Sequence, residues 1–301
     1  MQLTLGGGRG DWPALLEMFE SLIEKADATA WRTLLSLPQR LHRVGPEHRE
    51  RWLRWLDALF TAQPRILGHP AGIYVLWPLR WIAPVSAMQR WVELLRASDW
   101  PSGVRVAAEL TTELACIEPH EEWATERLEA MLADAGSDAP ATLGVAHGLA
   151  FLLSDEHARG RVVPWALTFA RHAPADRVSA MIRALRWGAL RWGSGPFDLI
   201  DVLRERGIPW PHDHLRDLPE TLLDAVELDP SRALDAARWL LKQLDAPTMA
   251  HENLVLLTLQ IIRQSDDESM RVRGMELFED LLKRGDPHAR RVVRRMDGDG
   301  G

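Results

Sequence analysis

The sequence predicts an all-α fold, an α-solenoid of about eight helix pairs, and three observations carry that prediction. Helix-start signals recur at Asp11, Pro46, Pro84, Pro119, Asp155, Pro196, Asp229 and Asp266, separated by 35, 38, 35, 36, 41, 33 and 37 residues. A steady period of this size marks stacked helix pairs, because one pair cannot bury its apolar face without a neighbour. Within each interval, apolar residues return at helical spacing, as Leu15, Leu16, Phe19, Leu22 and Ile23 do. No segment sustains the two-residue alternation of a half-buried strand.

The first pair is expected from Asp11, an N-cap, through a shorter helix that stops at Pro38. The second opens at Pro46 and presents Trp52, Trp55, Leu56, Leu59 and Phe60 inward, followed by an apolar helix over 72–82 interrupted at Pro78. The third runs from Pro84 and then over 102–117, and the fourth from Pro119 and then over 139–153. Gly144 and Gly148 lie four apart in that last helix, where small residues let a neighbour come close despite a propensity cost of roughly 1 kcal/mol each.

The fifth pair covers 155–172 and 174–192, and Gly193-Ser194-Gly195-Pro196 then breaks the pattern at the one 41-residue interval. The sixth (197–206 and 218–227) encloses a Pro-bounded loop, and the seventh spans 230–244 and 247–264. The last begins after Asp266-Asp267, pauses at Gly285 and ends in a helix bearing Arg290, Arg291, Arg294 and Arg295. The expected organisation is therefore a flexible terminus over 1–10, one array over 11–296 with a break near 193–196, and a disordered tail over 297–301.

Composition bounds the function. Hydrophobic residues make up 46% and charged residues 26% of the 301 positions, which is ordinary globular usage. A net charge of −7 disfavours nucleic acid and anionic membrane as general partners, although a local basic stripe remains compatible with it. The first ten residues lack a signal-peptide profile, and the longest apolar stretch, 71–85, contains Arg80 and two prolines. The lone Cys116 cannot form an internal disulfide and is expected to be a buried, inert thiol. Together these point to a cytoplasmic protein.

The pattern resembles the HEAT and armadillo class of helical repeats. The stretch Ser269-Met270-Arg271-Val272-Arg273-Gly274-Met275-Glu276-Leu277-Phe278-Glu279-Asp280-Leu281-Leu282-Lys283-Arg284-Gly285-Asp286-Pro287-His288-Ala289 is similar to the closing helix pair in C-terminal recognition arrays of bacterial STAND-type ATPases, several of which act in antiphage defence. No phosphate-binding loop accompanies it, since Gly6-Gly7-Gly8-Arg9-Gly10 lacks the required lysine. The resemblance implies a recognition array separate from any ATPase.

Candidate chemistry is sparse. Tryptophan is over-used, 14 residues against one tyrosine, and arginine directly precedes it at 51–52, 54–55, 80–81, 90–91, 186–187, 191–192 and 238–239. Each pair reads first as a core-edge tryptophan with an arginine stem covering apolar surface, and second as a stacking and cation–π groove for an anionic partner. The densest group, Arg183, Arg186, Trp187, Arg191 and Trp192, is the candidate partner-binding patch, with Arg183, Trp187 and Arg191 expected to share one helical face at spacing four.

His212-Asp213-His214 reads as a polar turn rather than a zinc site, because no further ligands are identifiable. Pro119-His120-Glu121-Glu122-Trp123 fails the H-E-x-x-H pattern at Ala124, and His147 reads as an interior histidine. The sequence thus predicts no catalytic residues, no metal and no cofactor. It predicts a non-enzymatic scaffold or recognition module that binds a protein partner on a Trp/Arg-lined concave surface, in a defence or signalling complex. The alternative is a HEAT-like DNA glycosylase or another nucleic-acid-binding repeat protein, which the net charge disfavours.

Overall fold

A computed structural model describes residues 79–137, 139–185, 195–211, 217–244 and 249–298, with the isolated positions 50, 53, 54, 56–58, 60, 61 and 76 before them. The described residues form helices and turns, with no β-strand among them. The protein is all-α. The predicted first pair lies outside the described residues.

The helices are α1 (Val85–Arg96), α2 (Pro101–Leu114), α3 (Glu121–Ala133), α4 (Pro140–Leu153), α5 (Arg159–His172) and α6 (Ala175–Ala184), then α7 (Gly195–Glu205), α8 (Asp217–Ala225), α9 (Pro230–Leu241), α10 (Met249–Gln264), α11 (Glu268–Lys283) and α12 (Pro287–Gly298). Their starts follow side-chain chemistry. Pro84 is the N-cap of α1, where a missing N–H costs nothing. Asp229 caps α9 by accepting from the Arg232 N–H at 3.0 Å. At α11 the capping carboxylate is Asp267, which accepts from the Ser269 N–H, so the expected signal at Asp266 is displaced by one residue.

Two ends differ from expectation. α6 stops at Ala184, with Leu185 in extended dihedrals, and does not run on to Trp192 as one helix. α12 continues through Asp297 to Gly298, two residues into the tail expected to be disordered.

Contacts within the chain cluster into two compact units, one of residues 1–131 and 139–148, the other of 132–138 and 149–301. The division falls within α3 and α4. In the first unit α1 packs on α2. α4 approaches α2 through the two glycines. A Cβ on Gly144 would collide with the Arg105 carbonyl and lie 2.8 Å from the Ala108 Cβ, and one on Gly148 would lie 2.6 Å from the Thr112 Cβ. Those glycines are required by close approach, as their spacing predicts.

In the second unit α7 packs on α5, α9 on α7 and α11 on α9, while α10 packs on α8 and α12 on α10. Contacts of α8 with α9, of α10 with α9 and α11, and of α11 with α12 join these two series. Leu234, Leu240, Leu254, Leu257, Leu277 and Leu281 are fully buried between them.

Candidate functional site

Of the predicted patch, Arg183 sits exposed in the last turn of α6. Arg186, Trp187, Arg191 and Trp192 lie outside the described residues. The helix closes one residue after Arg183, and Leu185 is in extended dihedrals, which interrupts the 100° rotation per residue at that position. His212-Asp213-His214 also lies outside the described residues.

Three Arg-Trp dipeptides are described in full, and they are disposed differently. At Arg90-Trp91 the tryptophan is fully buried, edge-on to Phe60 with ring centroids 5.1 Å apart, and donates its indole N–H to Asp57 at 2.8 Å. Arg90 stays on the surface and pairs with the same carboxylate. Burial alone would raise the pKa of Asp57, but the bonds from Arg90 and Trp91 outweigh it and hold the carboxyl below its usual range. Trp239 is half-buried beside Arg238, which donates to Glu276 at 2.6 Å. These two match the core-edge reading.

Arg80-Trp81 inverts it. Arg80 is 6% exposed and donates to Glu113, itself 2% exposed, at 2.7 Å, whereas the Trp81 ring is 64% exposed. The turn that follows Leu79 aims the arginine inward and leaves the indole over it, with the guanidinium carbon 5.3 Å from the ring centroid. Beneath lies His120, 1% exposed, whose Nδ1 has no hydrogen-bond partner among the described residues. Burial lowers the His120 pKa, and a hydrogen bond to the Arg80 backbone only partly opposes this. The arrangement is an exposed indole over a buried ion pair.

A second pattern escaped the sequence reading although its signal was available. Arg-x-x-Asp/Glu occurs at seven places, and four of them, 54/57, 90/93, 232/235 and 273/276, supply the residues that follow. In the first unit Arg90 reaches back to Asp57, and Arg127 reaches back to Glu93 at 2.6 Å. In the second, Arg232 reaches back to Asp198 and Asp201, and Arg273 to Asp235 at 2.6 Å. Each arginine thus binds a carboxylate about one period earlier, and in two cases the acid three residues on receives the next arginine. Such half-exposed pairs stabilise by only about 0.2–1 kcal/mol each, so their main effect is to fix which helix lies beside which.

Arginine also closes helix ends across the period. Arg206 donates to the Ala170 and Ala173 carbonyls at 2.6 and 2.7 Å, and Arg284 to those of Leu241 and Leu244 at 2.8 and 3.0 Å. Each is followed by a glycine with positive φ, Gly207 at 64° and Gly285 at 78°, in the left-handed turn that ends its own helix. Beside the second of these, a groove of about 620 Å³ opens between α9 and α11, edged by Arg238, Lys242, Glu276, Asp280, Lys283 and Arg284.

Other candidates carry little chemistry. Cys116 is half-buried in the turn after α2, not within the helix. His147 is half-buried with Nδ1 3.9 Å from Glu109. Among the described residues, no three His, Cys, Asp or Glu side chains converge as a metal site would. No helix among them is long and apolar enough to cross a membrane. Comparison of the chain with protein-family models, curated proteins and solved structures finds no match.

Proposed function

We propose that the chain is a non-enzymatic recognition scaffold, a HEAT-like α-solenoid that holds a protein partner through tryptophan and arginine anchors. The observation that carries the reading is Trp81: a large indole left 64% exposed while the arginine before it is buried. Interface energy concentrates in tryptophan and arginine anchors, and an anchor fixed before binding loses little entropy on docking. The arginine ties at one-period separation support the repeat arrangement, since each couples a helix to one in an adjoining pair.

The DNA-glycosylase alternative gains no support at this site. Glu113, the carboxylate that pairs with the arginine beneath Trp81, is buried and held by Arg80, so it is not free to act as an acid or base. The scaffold reading also accommodates a role in a defence or signalling complex, as the family resemblance implies.

A photo-crosslinking residue placed at position 81 of the intact chain, expressed in its own cells, tests the reading. A discrete protein adduct is expected there in roughly tenfold excess over the same residue at the exposed Glu129. Equal labelling at the two positions, or none at position 81, would overturn it.

A further inference from the structure

We infer that the free side of α11, together with the arginines of α12, is a docking surface for an acidic amphipathic helix of a partner protein; this deepens the scaffold reading and rests on it. The argument starts from register. Aligning the Arg-x-x-acid positions sets Met275 level with Val92 of α1 and Leu234 of α9, and Phe278 level with Leu95 and Ala237. Val92, Leu95, Leu234 and Ala237 are all completely buried. Met275 is 44% exposed, and Phe278 is only half-buried.

Leu282, level with the buried Leu241, is half-buried as well, and Val272 is 41% exposed. Met275, Phe278 and Leu282 stand at i, i+3 and i+7, which is one face of a helix. The arginine face of α11 is already engaged with α9 through Arg273 and Arg284, and Gly274 meets Ile262 of α10. Positions that are buried in the other two helices of this register are therefore exposed (Met275) or only half-buried (Phe278, Leu282) in α11.

Charge selects the occupant. Arg290, Arg291, Arg294 and Arg295 of α12 are all exposed, and they form two like-charge pairs at i, i+4, which repel each other in the absence of an anion. Among the described residues, no carboxylate or carbonyl pairs with these four guanidinium groups, whereas Arg90, Arg127, Arg232, Arg238 and Arg273 each hold a carboxylate. α12 follows α11 directly and packs on both it and α10. A Cβ on Gly285, at the end of α11, would lie 3.1 Å from the Arg290 Nη2, which places that guanidinium at the α11 terminus. An incoming helix with an apolar stripe would cover Met275, Phe278 and Leu282, and its flanking carboxylates would pair with α12.

The test uses the intact chain and a fluorescent synthetic helix of about five turns, roughly 18 residues, with leucines on one face and glutamates elsewhere. The matched control carries lysine for glutamate. The glutamate helix is expected to bind in a salt-sensitive manner, with affinity at least about tenfold above the lysine helix. Met275→Glu and the double variant Arg290→Glu/Arg294→Glu are each expected to weaken it by about tenfold or more. All three sites are solvent-exposed or partly so, and thermal melts confirm that the variants fold.

Absence of binding, equal binding of the two helices, or indifference to Met275→Glu overturns the proposal. Binding of duplex DNA that needs the arginines and ignores Met275 reassigns the surface to phosphate backbone and also overturns it. So does self-association that Met275→Glu abolishes, which would make a second copy the occupant. If the helix fails to bind while crosslinking at position 81 persists, this surface is wrong and the scaffold reading stands; loss of the position-81 adduct removes the scaffold reading itself.

Discussion

Arg80-Trp81 and Arg90-Trp91 are the same dipeptide ten residues apart, and they are turned inside out relative to each other. In the second, a regular helix puts Trp91 against Phe60 and lets Arg90 meet Asp57 at the surface. In the first, the chain is turning out of a helix, so Arg80 enters the core to meet Glu113 and Trp81 is left outside. A core-edge helix position spends an indole on burial. A turn position over a buried ion pair leaves the indole in solvent. What distinguishes them is backbone geometry and the location of one carboxylate, not the dipeptide.

The largest effects should therefore fall on opposite members of the two pairs. Arg80→Ala leaves Glu113 buried without its partner and is expected to cost about 3–5 kcal/mol. Trp91→Ala removes a fully buried indole and is expected to cost about the same. Denaturant titration measures both. The double replacement Arg80→Met/Glu113→Leu should recover most of the Arg80→Ala loss, because a well-packed apolar pair replaces a desolvated ionic one. If Arg80→Ala cost no more than a surface substitution, the inversion would be refuted.

How far the sequence foretold this follows from the range of each interaction. The helical class, the caps at Pro84 and Asp229, and the close approach at Gly144 and Gly148 depend on neighbours within a turn or two, and local spacing displays them. The end of α6 at Ala184 was hidden, since no proline or glycine stops the chain there. Arg80 was misassigned because its partner is 33 residues away and a dipeptide carries no register. The Arg-x-x-acid recurrence was visible in principle, but its meaning depends on pairing one period away, which single-helix periodicity does not display. Arg206-Gly207 and Arg284-Gly285 were legible only as helix ends; that their arginines close an earlier helix needed the packing.

Acidification sharpens the contrast through His120. Its folded-state pKa is below the ordinary value of about 6.5, burial being the dominant cause. Between the folded and unfolded values the unfolded chain binds more protons, so stability falls as pH drops below about 6.5 and recovers above it. Urea midpoints at about pH 7.5 and about pH 5.5 should show this loss in the native chain and a smaller one in His120→Gln. Asp57 and Glu93, both depressed because their arginine hydrogen bonds overcome the effect of burial, act in the same sense at lower pH. Their contribution is complete above the unfolded carboxyl range of about 4 and is lost as pH falls through their folded values. A slope near pH 6 that survived His120→Gln would place the sensor elsewhere.

The smallest changes in stability belong to the remaining two members. Arg90→Ala removes an exposed partner of Asp57, but the Trp91 N–H still donates to that carboxylate, so the expected cost is about 0–1 kcal/mol. Trp81→Ala takes away an indole that is mostly in water and that stacks over the Arg80 guanidinium below it; an exposed cation–π contact is worth about 0.5–1 kcal/mol. The two reciprocal rankings, Arg80 above Trp81 and Trp91 above Arg90, can be read from four single variants on one denaturation assay. If Trp81→Ala instead destabilised the isolated chain as much as Trp91→Ala does, its ring would be serving the fold, and nothing would remain to set it apart as an anchor for a partner.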